Sequence, residues 1–498
     1  MKQSIKAVSA ASFAFVLAAP AIGQVTPEEV WQNWQKMGAS YGQAIIADSV
    51  VRDGETLVVS GMQISMDQDG AKISGGIEEI RFKDQGDGTV EVTMTDTYAI
   101  DLTMPGENDT VQEIAIVLTQ PGVTLIAGGN ASRTDYTYTA PSIMVDMQIK
   151  EDGAILADVD STLTTLSGTY TLDMQAAASV LNSAMTIEKV DFALTAGDAQ
   201  SGANAKGSLS ALKLTSNGNF LGIDALEDMA QALRSGFTAD LDFSYGQGDI
   251  TIDATDSGKA TKVSVTNQSG HFKAAMAEDA LRYGAGGTGV ALTVSGADIP
   301  FPEVKVSYGE ASFDFLMPLL ATQEPTDFTF LMRIVDLAVS DEIWSIFDPT
   351  TTLSRDPSTL VIDTKGKVLL NADLLNEEAM AAMGNDSPGE IHALDLTNLT
   401  LKFAGAEVIG AGNMTFDNSD VTTFDGIPAP TGKIDMVIRG GNGLLDKLVA
   451  MGMIPQDQAM GARMMMAMFA KPGDGPDVLN SSLEFRDKGF FANGQRLK

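Results

Sequence analysis

The 498-residue chain contains no cysteine. That excludes disulfides, thiolate metal ligands, a cysteine nucleophile and the lipidated cysteine of a bacterial lipoprotein. Histidine is almost absent: His271 and His392 are 121 positions apart, and two imidazoles so separated define neither a zinc site nor a catalytic triad by spacing. Both read as ordinary strand residues, and no metal or cofactor is expected. Aromatic residues make up only 6% of the chain, too few to fill a wide interior with rings or to build the girdles of an outer-membrane barrel. Cations are scarce too, with 32 Lys and Arg against 66 Asp and Glu for a formal net charge of −34. A polyanion of that size repels nucleic acid and anionic membrane surfaces, so neither is expected as a partner. The acidity itself reads as a solubility device.

What is present begins with the leader MKQSIKAVSAASFAFVLAAPAIGQ, in which Lys2 and Lys6 precede an apolar stretch from Ala7 to Ala19 and small residues end at Gly23. This is the pattern of a secretory signal peptide over residues 1–23, which implies a soluble periplasmic protein of net charge −36 after cleavage. No later run approaches the roughly 18 apolar residues of a membrane helix, so no transmembrane segment is expected in the mature chain.

Period-2 alternation dominates the remainder. In ADLDFSYGQGDITIDAT (239–255), Leu241, Phe243 and Tyr245 share one face and Asp240, Asp242 and Ser244 the other, and Gly246 to Gly248 suggest a hairpin turn. VKVSYGEASFDFLMPL (304–319) reads as a second hairpin, and similar runs recur at 57–66, 90–102, 111–119, 155–174, 187–195, 207–215, 261–266, 289–294, 359–372, 395–403 and 433–439. The fold class is mainly β (α+β): large curved antiparallel sheets or a sandwich with short peripheral helices. A capping box of Thr26 and Glu29 opens a helix over 26–42 with Val30, Trp34, Met37 and Tyr41 on one stripe. Asp224 and Glu227 suggest another over 224–236, where a boundary separates domains at 24–235 and 236–498. Residues 442–475 read as two helices broken at Gly452, the second starting at Pro455. Loop signals stand at 196–207, 321–327, 384–390 and 471–477.

Several stretches imitate chemistry. GASYG (38–42) has the text of a nucleophile elbow but sits at a helix end, and GAGGTG (284–289) has that of a dinucleotide loop but reads as a glycine-rich turn between strands. Acidic turns at 67–70, 84–88 and 417–420 lack the twelve-residue spacing of a helical calcium loop. Met460, Met464, Met465 and Met468 cluster at helical spacing; core packing is the expectation, with an apolar-ligand surface or thioether Cu(I) binding as alternatives. In FDPTTTLSRDPSTLVIDTKG (347–366), Asp348, Arg355 and Asp356 form the one carboxylate constellation suited to acid-base work. Each aspartate precedes a proline and equally suits a helix-to-strand corner capped by local backbone, behind a helix DEIWSIF (341–347) capped by Ser340. Arg355 is expected to pair with one of these aspartates or with Asp341 or Glu342.

IPFPEVKVSYGE (299–310), IWSIFDP, RDPSTLVID and the C-terminal GLLDKLVAMGMIP and MFAKPGDGPDVLNSSLEFRDKGFFANGQRLK together resemble an exported alphaproteobacterial family of unknown function. More loosely, LTNLTLKFAGAEVIGAGNMTFD followed by a LLDKL helix is similar to the strand-rich repeats of AsmA-like envelope proteins, which implies a curved β groove that houses lipid. The expectation is a non-enzymatic periplasmic protein holding a lipid or other apolar ligand. An envelope interaction protein without ligand and a carboxylate-based hydrolase are the alternatives.

Overall fold

A computed structural model describes residues 24–40, 42–68, 70–105, 110–130, 132–174, 179–197, 200–221, 225, 227–384 and 387–498; the leader lies outside them. Strands account for 64% of the described residues and helices for 13%. Among the described residues all strands join one antiparallel sheet in which each pairs with strands near it in sequence: Ala44–Asp53 with Thr56–Gln68, Ala154–Met174 with Ser179–Gly197, Val304–Met317 with Thr326–Val339, and so on to Ala429–Arg439 with Val478–Arg486. Among the described residues no pairing joins the first strand to the last ones, so the sheet is open. The ladder runs without a break past residue 235, because Ser201–Phe220 pairs with both Thr238–Tyr245 and Gly248–Asp256.

The register shows why alternation is so strong. Directly opposed positions on one face read Leu57, Phe82, Val92, Leu125, Tyr138 and Gly168. The row continues through Met185, Leu214, Phe243, Phe272, Ala285 and Phe313. It ends with Met332, Ile362, Leu399, Gly410 and Met436. At about 4.8 Å per strand this row spans roughly 75 Å. A second row, from Ile45 and Ile64 through Ile100, Met147, Leu194, Ile252 and Val294 to Val304, runs beside it.

Met185 and Leu194, like Phe243 and Ile252, are separated by an odd number of residues, which an uninterrupted pleat would place on opposite faces. They share a face because the ladder is irregular between the rows, where Glu188 pairs with neither neighbouring strand. Gly61, Thr165, Ala211, Gly289 and Asp336 all take left-handed φ angles between 51 and 60° there. Neighbouring strands break in line at Gly246–Gln247 and Gln268. Bulge-like residues bend a strand, and in line they crease the whole sheet. Leu163 and Leu166, Ile187 and Val190, and Leu209 and Leu212 all belong to one apolar cluster that straddles this crease.

The crease corrects several sequence readings. Residues 239–255 form no hairpin: Thr238–Tyr245 and Gly248–Asp256 are collinear, and Gly246 interrupts the strand without reversing it. Val304–Met317 is likewise a single strand, since Gly309 is not among the positive-φ glycines and makes no turn. GAGGTG lies inside the strand Leu281–Gly296 and is not a turn. Gly286 there faces His271 on the neighbouring strand, and a Cβ would press on that imidazole. Strand also replaces most of the loop expected at 196–207, where Ser201–Phe220 begins.

Among the described residues there are six helices, all short. The first, α1 (Pro27–Ser40), has the expected box: Thr26 N donates to Glu29 Oε2 at 2.9 Å and Glu29 N to Thr26 Oγ1 at 3.3 Å. It buries Val30 and Trp31 against Ile80, Phe82 and Val92 and closes that end of the apolar face. Tyr41 lies outside the described residues. Helix α2 (Met229–Arg234) is shorter than expected, because the cap is Asp228, whose Oδ1 accepts from Gln231 N; Asp224 and Leu226 lie outside the described residues. Helix α3 (Asp341–Phe347) has Ser340 at its N-cap, but that hydroxyl accepts from Lys305 N and makes no cap. Then come α4 (Glu377–Met383), α5 (Gly441–Ala450) and α6 (Gln456–Phe469), with Gly452 and Pro455 separating the last two as the sequence suggests.

Candidate functional site

Where the crease crosses the middle strands, the sheet folds toward its apolar face around a cavity of about 490 Å³. Leu209, Ile250, Val265 and Val290 line one side of the crease, and Ala285, Ala311, Phe313 and Met332 the other. A second cavity of about 430 Å³ continues along the same face, bounded by Phe315, Met317, Phe328, Phe330, Val368 and Ile391. An aromatic group joins the two: Tyr283 stacks on Phe315 at 5.7 Å, and Phe313 meets Phe330 edge-on at 5.5 Å. Helices pack on this face toward both ends of the sheet, and α2 packs beside Met276 and Leu281 of the middle strands, whereas most residues lining the two cavities are only half-buried and Ile391 is 45% exposed.

Tyr245, Asn267, Tyr308 and Ser312 bring polar side chains to the cavity at the crease. Tyr245 and Asn267 flank strand interruptions, and Tyr308 precedes Gly309. Asn267 Nδ2 donates to Tyr245 Oη at 2.9 Å and to the Ser269 carbonyl at 3.1 Å. Glycines make the room: a Cβ at Gly270 would collide with the Tyr245 ring, and one at Gly248 with Asn267 Oδ1. Arg333 also borders the cavity, with its guanidinium held by Glu310 Oε1 at 3.0 Å. None of these residues stood out in the sequence. The available signal was the break in alternation, with apolar residues three apart at Leu163 and Leu166 or Leu209 and Leu212.

The carboxylate constellation is built differently from an acid-base pair. Asp348 is fully buried, and its Oδ1 and Oδ2 accept the backbone N–H groups of Thr352 and Leu353, both at 2.9 Å. Asp356 accepts from Ser354 Oγ at 2.6 Å. Arg355 pairs with Asp341, donates to the Asp348 carbonyl at 3.2 Å and lies 5.6 Å from the Trp344 ring centre. Burial pushes the Asp348 carboxyl up, but the two N–H groups and Arg355 outweigh it and hold the group below its ordinary range.

Core packing does not hold for the methionines. Met460, Met464, Met465 and Met468 are between 51 and 66% exposed, while Ala459 and Met466 face the protein. Spacing identified which residues share a face, but α6 also carries apolar residues on its other sides, and the residue it buries fully is the small Ala459. The acidic turns at 84–88 and 417–420 spend their oxygens locally: Asp87 accepts from Thr89, Asp417 from Ser419, and Asp420 from Thr423 and Lys488. Among the described residues no cluster of three His, Asp or Glu is arranged to hold a metal.

A family model described as an uncharacterized protein conserved in bacteria, DUF2125, matches residues 217–494, more than half of the chain. The chain belongs to the DUF2125 family. The DUF2125 region contains α2 to α6, the aromatic group, Tyr245, Asn267 and Tyr308, so most of the cavity lining lies within it. The meander before residue 217 extends the same two apolar rows beyond that region. No curated protein matches the chain. Among the described residues no helix is long and apolar enough to cross a membrane, which says nothing of strands.

Proposed function

We propose that this is an exported periplasmic protein, non-enzymatic, that houses a lipid or other apolar ligand along the creased sheet. The observation that carries the reading is the pair of apolar rows meeting across one crease and sharing a cavity. An open, half-exposed apolar face of this length is costly to leave in water, and an apolar chain lying in it removes that cost. The strongly acidic composition keeps the loaded protein dispersed. The test is purification from the periplasm of the native host, solvent extraction and mass spectrometry. The expected result is a near-stoichiometric apolar molecule and a mature N-terminus at Gln24; absence of any such molecule overturns the reading.

A second reading, an envelope interaction protein, draws on the edge strand Ala44–Asp53, where Ile46 and Val51 are 59 and 57% exposed beside unpaired backbone. Pull-downs from envelope extracts in which Ile46→Lys abolishes capture would favour it.

A further inference from the structure

On the reading just proposed, we infer that the occupant is an acyl ester with an uncharged head, whose carbonyl group sits at the crease against the phenols of Tyr245 and Tyr308. Both phenols border a cavity walled mostly by aliphatic, aromatic and glycine residues, with Asn267, Ser312 and Arg333 as its other polar side chains. The Tyr245 oxygen already accepts a hydrogen bond from Asn267, so its remaining function is donation, and no acceptor among the described residues takes its proton. The Tyr308 hydroxyl has no partner among the described residues. A phenol that accepts an amide N–H is polarised into a better donor. Two phenol donors in a largely apolar wall, one of them polarised in this way, favour a ligand with an acceptor and penalise a plain hydrocarbon, which would leave both unpaired.

Charge decides which acceptor. A free carboxylate would enter a chain of net charge −34, and Arg333, the cation beside the cavity, is already bound to Glu310. An ester carbonyl offers the same lone pairs without that repulsion. Asn267 is positioned for orientation, since its amide is committed to Tyr245 and the Ser269 carbonyl.

The experiment uses the full mature protein after solvent extraction and measures displacement of a fluorescent apolar probe by monopalmitoylglycerol, palmitate and hexadecane. Monopalmitoylglycerol is expected to bind most tightly, and Tyr245→Phe to weaken it about fivefold, the scale of one hydrogen bond, while hexadecane binding is unchanged. Tyr308→Phe is the second variant, and a retained denaturation midpoint shows that each is folded. Equal binding of ester and hydrocarbon, tighter binding of palmitate, or indifference to both substitutions overturns the ester assignment while leaving the apolar groove intact. Failure of all three molecules to displace the probe overturns the underlying reading instead.

Discussion

Asp348 shows how one residue can resemble a catalyst and serve as a cap. Proline at 349 keeps it out of the helical region, which aims its carboxylate back at the N–H groups of Thr352 and Leu353. Replacing Asp348 by Ala is expected to lower the thermal midpoint by several degrees, whereas Asp356→Ala, which loses only the Ser354 contact, changes it little; differential scanning calorimetry separates the two. The pH dependence has a definite sign. Asp348 and Asp373, the latter held mainly by Arg234, have carboxyls lowered from the usual value of 3.8. Their contribution is therefore complete above that value and is lost as pH falls through the lowered folded-state pKa. Acidification from neutrality first relieves repulsion in this polyanion, so the midpoint is expected to hold or rise toward about pH 5 and to fall below about pH 4. A midpoint unchanged down to about pH 2 would exclude these caps as contributors.

At the scale of the element, the crease makes its own demand on the backbone. Ala211 takes a φ of 52° in the middle of a strand, a conformation that costs a residue with a Cβ roughly 1 kcal/mol. Ala211→Gly is thus expected to be neutral or stabilising by up to about 1 kcal/mol in urea denaturation, the reverse of the usual loss for glycine in a strand. A loss of about 1 kcal/mol instead would place the bend elsewhere. Helix α6 offers a contrast between its two faces. Met464→Gln, at 66% exposure, should stay within about 0.5 kcal/mol of the parent, and Ala459→Leu, at full burial, should cost about 1–3 kcal/mol by overpacking.

For the whole molecule, the decisive prediction concerns the groove. Ala285 belongs to the long apolar row and borders the larger cavity, so Ala285→Phe fills space without adding polarity. It is expected to reduce co-purified ligand, read by mass spectrometry, with circular dichroism unchanged; undiminished ligand would show that the groove is not where it sits. Ligand that binds only the folded state also raises stability by mass action, so extracted protein should melt at a lower temperature than protein as purified.

How much of this was legible in the sequence follows from which forces act locally. Alternation at 433–439, the Thr26–Glu29 box and the break at Gly452 are short-range properties, and each appears where the residues indicate. They determined an antiparallel, largely single-faced sheet with short helices. The hairpin expected at 239–255 failed because Gly246 permits either a reversal or a bend, and the choice depends on Ser201–Phe220 holding both halves in one register. The same holds for the methionines, whose spacing is a property of α6 but whose exposure depends on what packs beneath. Tyr245, Asn267 and Tyr308 lie on separate strands and come together only when their interruptions align across the sheet. The sequence by itself determined strands, caps and charge, since these depend on neighbours within a few residues. Only the tertiary structure decided the crease and the groove, since register between strands far apart in sequence sets where one bend meets the next.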